Sequence, residues 1–155
     1  MFAEMRRQDR LITQEEAYDV LSRGEYGILS MYDTSGYPYG IPLNYFCRNG
    51  KIYFHCARSA GQKAENLKRD ERVCFTVVGK TELMPEQFNT KYESVVVFGR
   101  ARRLEGKDKQ DALEGLVDKY SAAFHAAGMQ YIASAFEKVG IYEIAIDRIT
   151  GKAKR

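Results

Sequence analysis

The feature that most limits the fold of this chain is a succession of β-prone runs joined by tight turns. Residues 26–32 and 37–47 flank the turn sequence at 33–36, and Asn49–Gly50 separates the second run from residues 51–56. Asn-Gly is a strong signal for a two-residue hairpin turn, and short turns of this kind join antiparallel strands. Pro42 cannot donate a ladder hydrogen bond, so the second run is predicted to lie at a sheet edge or to contain a bulge.

The second half of the chain predicts three further strands, at residues 73–78, 92–104 and 139–149. Residues 80–91, which contain Pro85, are predicted to form a loop. Helices are predicted after Thr13, which forms a capping box with Glu16, from about Ala60 to Arg69, and around 113–120 and 129–136. Six strands with peripheral helices predict a mainly β fold, an antiparallel barrel that is closed or nearly closed.

Length, charge and cysteine content narrow the function classes. The 155 residues contain no repeat or linker, which predicts one domain over 1–155. The net charge of +3 is small and the basic residues are scattered, so a nucleic-acid partner is not expected. No apolar run approaches the ~20 residues that span a bilayer. Three cysteines without a CxxC pair predict free thiols, no metal site and a cytoplasmic protein.

Residues 52–63 carry the clearest ligand-binding pattern, a strand followed by a short loop of small residues and the start of a helix. A helix N-terminus presents unpaired N–H groups and partial positive charge, which favour a phosphate. Arg58, Ser59 and Lys63 would add hydrogen-bond donors and positive charge. The residues alone also allow a surface helix that Ser59 and Gln62 cap, with Lys63 in solvent.

His55 ends the strand that precedes this loop. An imidazole exchanges protons near neutral pH, so a histidine beside a ligand site is a candidate acid or base. A single histidine at a strand end also often has only a structural role. The position alone does not decide between these interpretations.

The chain resembles the FMN-binding split-barrel family related to pyridoxamine 5'-phosphate oxidase, and within it the nitroimidazole-reductase-like branch. The resemblance covers nearly the whole chain and keeps the order of the matching segments. These segments are residues 5–7, Gly36–Asn44, Tyr53–Ala57, Gly61–Lys63, Tyr92–Val95, Phe98–Arg100 and Ile149–Lys152.

The resemblance implies a six-stranded antiparallel split β-barrel that forms a homodimer, with FMN bound by both subunits. It also implies which residues contact the cofactor, and His55 is the expected catalytic residue that faces the acceptor. Lys63 matches the lysine that binds the phosphate, and residues 150–152 match a segment of unassigned role. The expected cofactor-binding residues are Ile41, Pro42, Leu43, Asn44, His55, Cys56, Arg58, Ser59, Lys63 and Ser94.

The expected activity is that of an FMN-dependent reductase or oxidase. NADH or NADPH would supply electrons to small flat acceptors such as nitroaromatics or nitroimidazoles, and Tyr37, Tyr39 and Tyr92 are candidates for the pocket wall. Pyridoxamine-phosphate oxidases carry an arginine where this chain has Gln62, and they end in a different tail. Oxidation of vitamin B6 is therefore not expected.

Two other functions fit the same resemblance. One is a haem-binding split barrel with His55 or His125 as the axial ligand. The other is a flavin-binding module without catalytic activity. An absorption spectrum distinguishes haem from flavin, and turnover with a nicotinamide donor distinguishes an enzyme from a binding module.

Overall fold

The computed structural model describes residues 1–57 and 61–155. These residues form one seven-strand antiparallel sheet and four α-helices. The strands are β1 (Gly27–Tyr32), β2 (Pro38–Leu43), β3 (Phe46–Arg48), β4 (Lys51–Ala57), β5 (Arg72–Met84), β6 (Asn89–Arg103) and β7 (Val139–Lys154). The helices are α1 (Gln14–Arg23), α2 (Gln62–Arg69), α3 (Gly106–Tyr120) and α4 (His125–Ala135).

The sheet has the strand order β2-β1-β5-β6-β7-β4-β3, and it curves until its two ends share a core. Side chains from β1, β2 and β4 pack in the same cluster, among them Leu29, Ile41 and Phe54. Strands at opposite ends of the order therefore face each other across the interior. This architecture confirms the mainly β fold, and β2 is an edge strand, as Pro42 predicted.

One run that the sequence predicts as a single strand, residues 37–47, is divided into β2 and β3, which raises the strand count from six to seven. The division falls at Tyr45, whose side chain is fully buried and donates a hydrogen bond to the carbonyl of Leu21. The backbone N–H of Tyr45 donates to the Tyr120 hydroxyl at 3.0 Å, and its carbonyl accepts from Lys119 at 2.7 Å. Both backbone groups are thus bonded to α3, so the strand leaves its ladder here.

The first helix forms as its sequence pattern predicts. Thr13 and Glu16 make both hydrogen bonds of the capping box, and the helix buries Ala17, Val20 and Leu21 against the barrel. The second helix begins at Gln62, which is therefore a helical residue and not part of the preceding loop. Ala60 and Ser59, which were predicted to start and cap this helix, lie outside the described residues.

The prediction that residues 80–91 form a loop is wrong, because β5 and β6 continue as a paired ribbon to Met84 and Asn89. Pro85 lies in the turn at the tip, where a missing N–H costs no ladder bond. Residues 81–92 are called the arm below. A β-bulge at Gly79 and Lys80 precedes the arm, since Val78 pairs with Ser94 and Thr81 pairs with Tyr92. A Cβ at position 79 would lie 3.0 Å from the Glu93 carboxylate, so the bulge favours glycine.

Helices α3 and α4 pack on the outer side of β4 and β7 around a second apolar cluster that includes Phe46, Leu116 and Ile141. The helices predicted at 113–120 and 129–136 correspond to these two elements. Among the described helices, none has both the length and the apolar character needed to span a membrane.

Candidate functional site

Helix α2 is fixed across the open side of the barrel by the carboxylate of Asp33, which follows β1. Asp33 Oδ1 accepts hydrogen bonds from Gln62 Nε2 at 2.6 Å and from Asn66 Nδ2 at 2.8 Å. Ser35 donates to the other oxygen through its hydroxyl and its backbone N–H. Asn66 is fully buried, and its amide oxygen accepts the N–H of Thr34 at 3.2 Å. The start of α2 is therefore attached to the end of β1.

These hydrogen bonds favour the ionised form of the carboxyl. The side chains of Ser35, Asn66 and Gln62, in that order of importance, hold the pKa of Asp33 well below its usual value. Gln62 is the position at which the sequence resemblance leads us to expect an arginine in pyridoxamine-phosphate oxidases. Its amide is bound to Asp33, and its role here is to position the helix.

Lys63 follows Gln62 and extends toward the end of β4. Its Nζ lies 3.3 Å from the carbonyl oxygen of His55 and 5.6 Å from the centre of the Phe54 ring. Within residues 1–57 and 61–155, no carboxylate lies within ion-pair distance of this ammonium group. Burial lowers the pKa of Lys63, as expected for a cation without a counter-ion. The corner between β4 and α2 thus holds a half-buried positive charge that an anion would stabilise.

His55 lies at the same corner but on the other face of β4. It pairs with Ile141, while the neighbouring Phe54 points into the barrel core. The residue as a whole is exposed, but neighbouring atoms partly desolvate the imidazole ring, and this burial lowers the pKa of His55. The nearby Lys63 ammonium lowers the same pKa further. The imidazole is therefore mainly neutral at pH 7, available as a hydrogen-bond partner at the surface.

Cys56 belongs to the barrel core, where its side chain is 8% exposed. Burial raises the pKa of its thiol, so the sulfur is not a reactive thiolate at neutral pH. Its side chain is thus a packing group, and contact with a cofactor would be through its backbone. Two other predicted cofactor-binding residues, Arg58 and Ser59, lie outside the described residues.

The segment 41–44 contributes backbone groups at the free edge of β2. The side chains of Ile41 and Leu43 pack against the core, so they do not project toward solvent. Pro42 is exposed on the outer side of the sheet. Asn44 Nδ2 donates to the Glu25 carbonyl at 3.1 Å and holds the end of the strand.

The turn between β1 and β2 shows which residues of β2 are hydrogen-bonded to β1. The N–H of Asp33 donates to the carbonyl of Tyr37, which makes this opposed pair a hydrogen-bonded one. Because bonded and non-bonded pairs alternate, the pairs of β1 with Pro38, Gly40 and Pro42 are non-bonded. The N–H of Gly40 and the carbonyls of all three residues therefore point away from β1, toward the free edge.

Ser94 lies far from His55 and Lys63 within one chain. Ser94 pairs with Lys152 near the end of β7, whereas His55 pairs with Ile141 near its beginning. At about 3.3 Å per residue, the path along β7 between these positions is at most roughly 35 Å. The structure thus brings together His55, Cys56 and Lys63, and it separates them from Ser94.

An antiparallel sheet that rolls into an incompletely closed barrel, with a helix across the opening, defines a split-barrel protein. The family model described as pyridoxamine 5'-phosphate oxidase matches residues 13–153, and the chain belongs to this family. Comparison with curated proteins finds no significant match.

Solved structures with the same fold share about a fifth of the sequence or less. A candidate 5-nitroimidazole antibiotic resistance protein from Bacteroides thetaiotaomicron is 21% identical over 92% of this chain and 86% of its own, with a TM-score of 0.74. An FAD-binding protein from Mesorhizobium loti is 21% identical over 94% and 98%, with a TM-score of 0.69. An FAD- and haem-binding protein from Mycobacterium smegmatis is 15% identical over 92% and 72%, with a TM-score of 0.79.

The sequence did not reveal the residues that hold α2 in place at the corner between β4 and α2. Asp33 was interpreted only as part of a turn, and Asn66 was not singled out. The available signal was an asparagine next to Leu67 on the buried side of a short helix, because a buried amide requires a polar partner.

Asp33→Asn is expected to destabilise the protein at pH 7, since the amide supplies donors where the network needs an acceptor. A carboxyl with a lowered pKa stabilises the fold above its unfolded-state pKa of about 3.9, and this contribution is lost as the pH falls through the folded-state value. The deficit of the variant relative to wild type should therefore shrink below about pH 4. Thermal unfolding of both proteins between neutral and acid pH measures this difference, and a deficit that does not change with pH would contradict it.

Proposed function

We propose that the protein binds FMN and is an oxidoreductase that passes electrons from NADH or NADPH to small flat acceptors such as nitroaromatics. The observation that carries this proposal is Lys63, a half-buried cation with no carboxylate partner among the described residues. A phosphate group would supply the missing charge, and charge-assisted hydrogen bonds to phosphate are among the stronger protein interactions.

The free edge of β2 supports a flat heterocycle as the other part of the ligand. The Gly40 N–H and the three outward carbonyls offer one donor and several acceptors in a row. The rim of a flavin ring carries both carbonyl oxygens and ring N–H groups, which such an edge can recognise. The family and its FAD-binding neighbour support a flavin, and the one positive charge that Lys63 offers at this corner favours FMN, with its one phosphate.

A homodimer accounts for the separation of the family-matching residues. Ser94 and the corner lie near opposite ends of β7, and the path between them along the strand is up to roughly 35 Å. Two subunits would bring these residues together if Ser94 of one copy faced the corner of the other. A two-fold axis would form two such sites from one pair of surfaces.

The chain's own residues would bind and orient the ligands. A bound flavin would supply the chemistry of hydride acceptance from a nicotinamide and electron delivery to the acceptor. Lys63 would hold the phosphate, and the β2 edge would fix the ring. His55, exposed beside Lys63, would hydrogen-bond to the acceptor and release a proton to it from Nδ1 or Nε2 when protonated.

A haem-binding function is the second candidate, because the M. smegmatis neighbour binds both FAD and haem. The exposed and mainly neutral His55 has the form that binds iron. His125 is less suited, since its Nδ1 lies 3.4 Å from the Asp118 carboxylate.

Purified protein is expected to show flavin absorption bands and to release FMN on denaturation, identified by chromatography against FAD and riboflavin. Release of FAD would keep the flavin assignment and contradict the FMN assignment. A Soret band without flavin would favour the haem function.

Lys63→Ala is expected to weaken FMN binding by about 10- to 150-fold, because loss of a charge-assisted hydrogen bond costs about 1.5–3 kcal/mol. Riboflavin lacks the phosphate, so its affinity should change little. Lys68→Ala, an exposed position on the same helix, is the matched control. Fluorescence titration with both flavins measures these affinities, and equal losses for FMN and riboflavin would place Lys63 away from the phosphate.

His55→Asn is expected to keep FMN content and to lower acceptor reduction by on the order of 10²-fold, if His55 donates a proton. The donating form is the imidazolium, so the wild-type rate should fall as the pH rises through the pKa of His55. That pKa lies below the usual value of 6.5, so the decline belongs on the acid side of neutrality. Stopped-flow reduction of a nitroaromatic by the reduced protein, with His125→Asn as control, tests this. An unchanged pH–rate profile with full FMN content would leave His55 a structural residue.

A further inference from the structure

The arm carries an uncharged face that continues the outer side of the barrel sheet. Side chains at alternate positions of a strand share a face, and paired residues share it across the ladder. This face, called the uncharged stripe, consists of Cys74, Thr76, Val78, Thr81 and Leu83 of β5 and Thr90, Tyr92, Ser94, Val96 and Phe98 of β6. The stripe begins on the barrel and runs without a charged side chain to the end of the arm.

The opposite face of the arm is charged. Glu82 and Lys91 form a cross-strand pair with 3.8 Å between Oε2 and Nζ, and Glu93 lies on the same side. A ribbon with one charged and one uncharged face is suited to cover another protein surface with its uncharged face. In residues 1–57 and 61–155, β7 pairs with β6 as far as Lys154, opposite Tyr92, so the part of the arm beyond Tyr92 has no further strand beside β6.

The end of the arm exposes two large apolar side chains. Leu83 is 77% exposed, and Phe88, which adopts a left-handed backbone conformation at φ 51°, is 97% exposed. A two-strand ribbon alone is only marginally stable in water, so a contact that buries its apolar side would stabilise it. The arm therefore has the character of a segment that binds to something outside its own subunit.

We propose that the arm lies on a second copy of the chain, where Leu83 and Phe88 form part of the wall of that copy's flavin site. The inference rests on the proposed function, because it uses the requirement that Ser94 of one copy faces the corner of the other. In that arrangement, the end of the sheet that bears the arm overlies the partner's end that bears His55 and Lys63.

The length of the arm supports this contact. Phe88 is six residues beyond Ser94, or about 20 Å at the rise of a β-strand. If Ser94 lies beside the partner's flavin, the tip extends past the ring toward the exposed face of β4 and α2. The bulge at Gly79 and Lys80 lies at the base, where added twist and bending can direct the arm onto the partner.

Two apolar side chains at this position would exclude water from the acceptor site and favour flat apolar acceptors. Tyr92, on the same stripe, lies nearer the barrel and would extend the wall toward the flavin. The acceptor pocket would then combine His55 of one subunit with Leu83 and Phe88 of the other, so acceptor selection would depend on the dimer.

One competing contact for the arm is the segment 121–136, which has no charged residue apart from His125 and exposes Phe124 and Tyr131. In its own chain this segment packs in the second apolar cluster, with Tyr53 and Ile141, and not on the stripe. It is therefore the alternative that the experiment must separate from the flavin site.

The direct test places the photo-crosslinker p-benzoylphenylalanine at position 88 in the full chain. Isotope-labelled and unlabelled chains are mixed, irradiated with FMN present, and digested, so that mixed-mass peptides identify contacts between copies. We expect a covalent dimer whose crosslinked peptides contain His55 or Lys63. Crosslinks to residues 121–136 with none to the peptides of His55 or Lys63, or no crosslinked dimer, would overturn the inference. The same probe at Phe124 is the control and should not mark the His55 region.

A second measurement separates the arm from the fold. Phe88→Ser should raise the KM for a nitroaromatic about 10-fold while the FMN dissociation constant changes less than about twofold, since the tip would contact the acceptor and not the phosphate. Phe124→Ser, at another exposed phenylalanine, should change neither value. Wild-type protein that binds no flavin would refute the proposed function. If the wild-type protein binds FMN but Phe88→Ser and Phe124→Ser have the same KM for the nitroaromatic, only the role of the arm is refuted.

Discussion

The hydrogen bonds that Asp33 accepts from α2 are the interaction on which the candidate site depends. The sheet ends with β2 on one side and with β4 and the short β3 on the other, and α2 spans the opening between them as a helix of only eight residues. An isolated helix of this length is unstable in water, so its tertiary contacts hold it. Gln62 and Asn66, four residues apart, reach the same carboxylate oxygen, which fixes both the position of the helix and its rotation. The direction of Lys63 follows from that rotation.

Lys63 differs from two other buried or partly buried charges, Lys119 and Glu143, in having weak partners. Lys119 also lacks a carboxylate, but its ammonium donates to the carbonyls of Gly24 and Tyr45 at 2.6 and 2.7 Å. Glu143 is almost fully buried, and burial pushes its pKa upward, yet hydrogen bonds from Lys51, Arg102 and Tyr53 outweigh this and lower it. That carboxylate has its counter-ions within 3.2 Å. Lys63 is half-buried and has only a carbonyl oxygen and an aromatic ring near its ammonium. Retaining a desolvated charge without a partner costs stability, which is consistent with a site that an anionic ligand completes.

Much of the fold could be predicted from local sequence, because its signals are local. The Thr13–Glu16 capping box, the Asn49–Gly50 turn and the alternation of Val95 and Val97 with Val96 and Phe98 each specify structure within a few residues. The break at Tyr45 could not be predicted, since its backbone is bonded to Lys119 and Tyr120, more than seventy residues away. The Asp33 network is non-local in the same way. His55 and Lys63 were identifiable because they are close in sequence, whereas the distance between Ser94 and His55 depends on the register of β7 with both its neighbours.

The wrongly predicted loop at 80–91 has a related physical cause. Pro85 and the charged residues around it are typical of a solvent loop when the neighbouring chain is considered alone. The alternation of Thr81 and Leu83, and of Thr90 and Tyr92, is the pattern of a strand that has one face to bury. A strand whose uncharged face finds no surface to cover in its own subunit suggests that this face is buried against another molecule. In the proposed dimer, the arm and the separated family-matching residues would express the same constraint: each subunit would carry parts of a site that two subunits assemble.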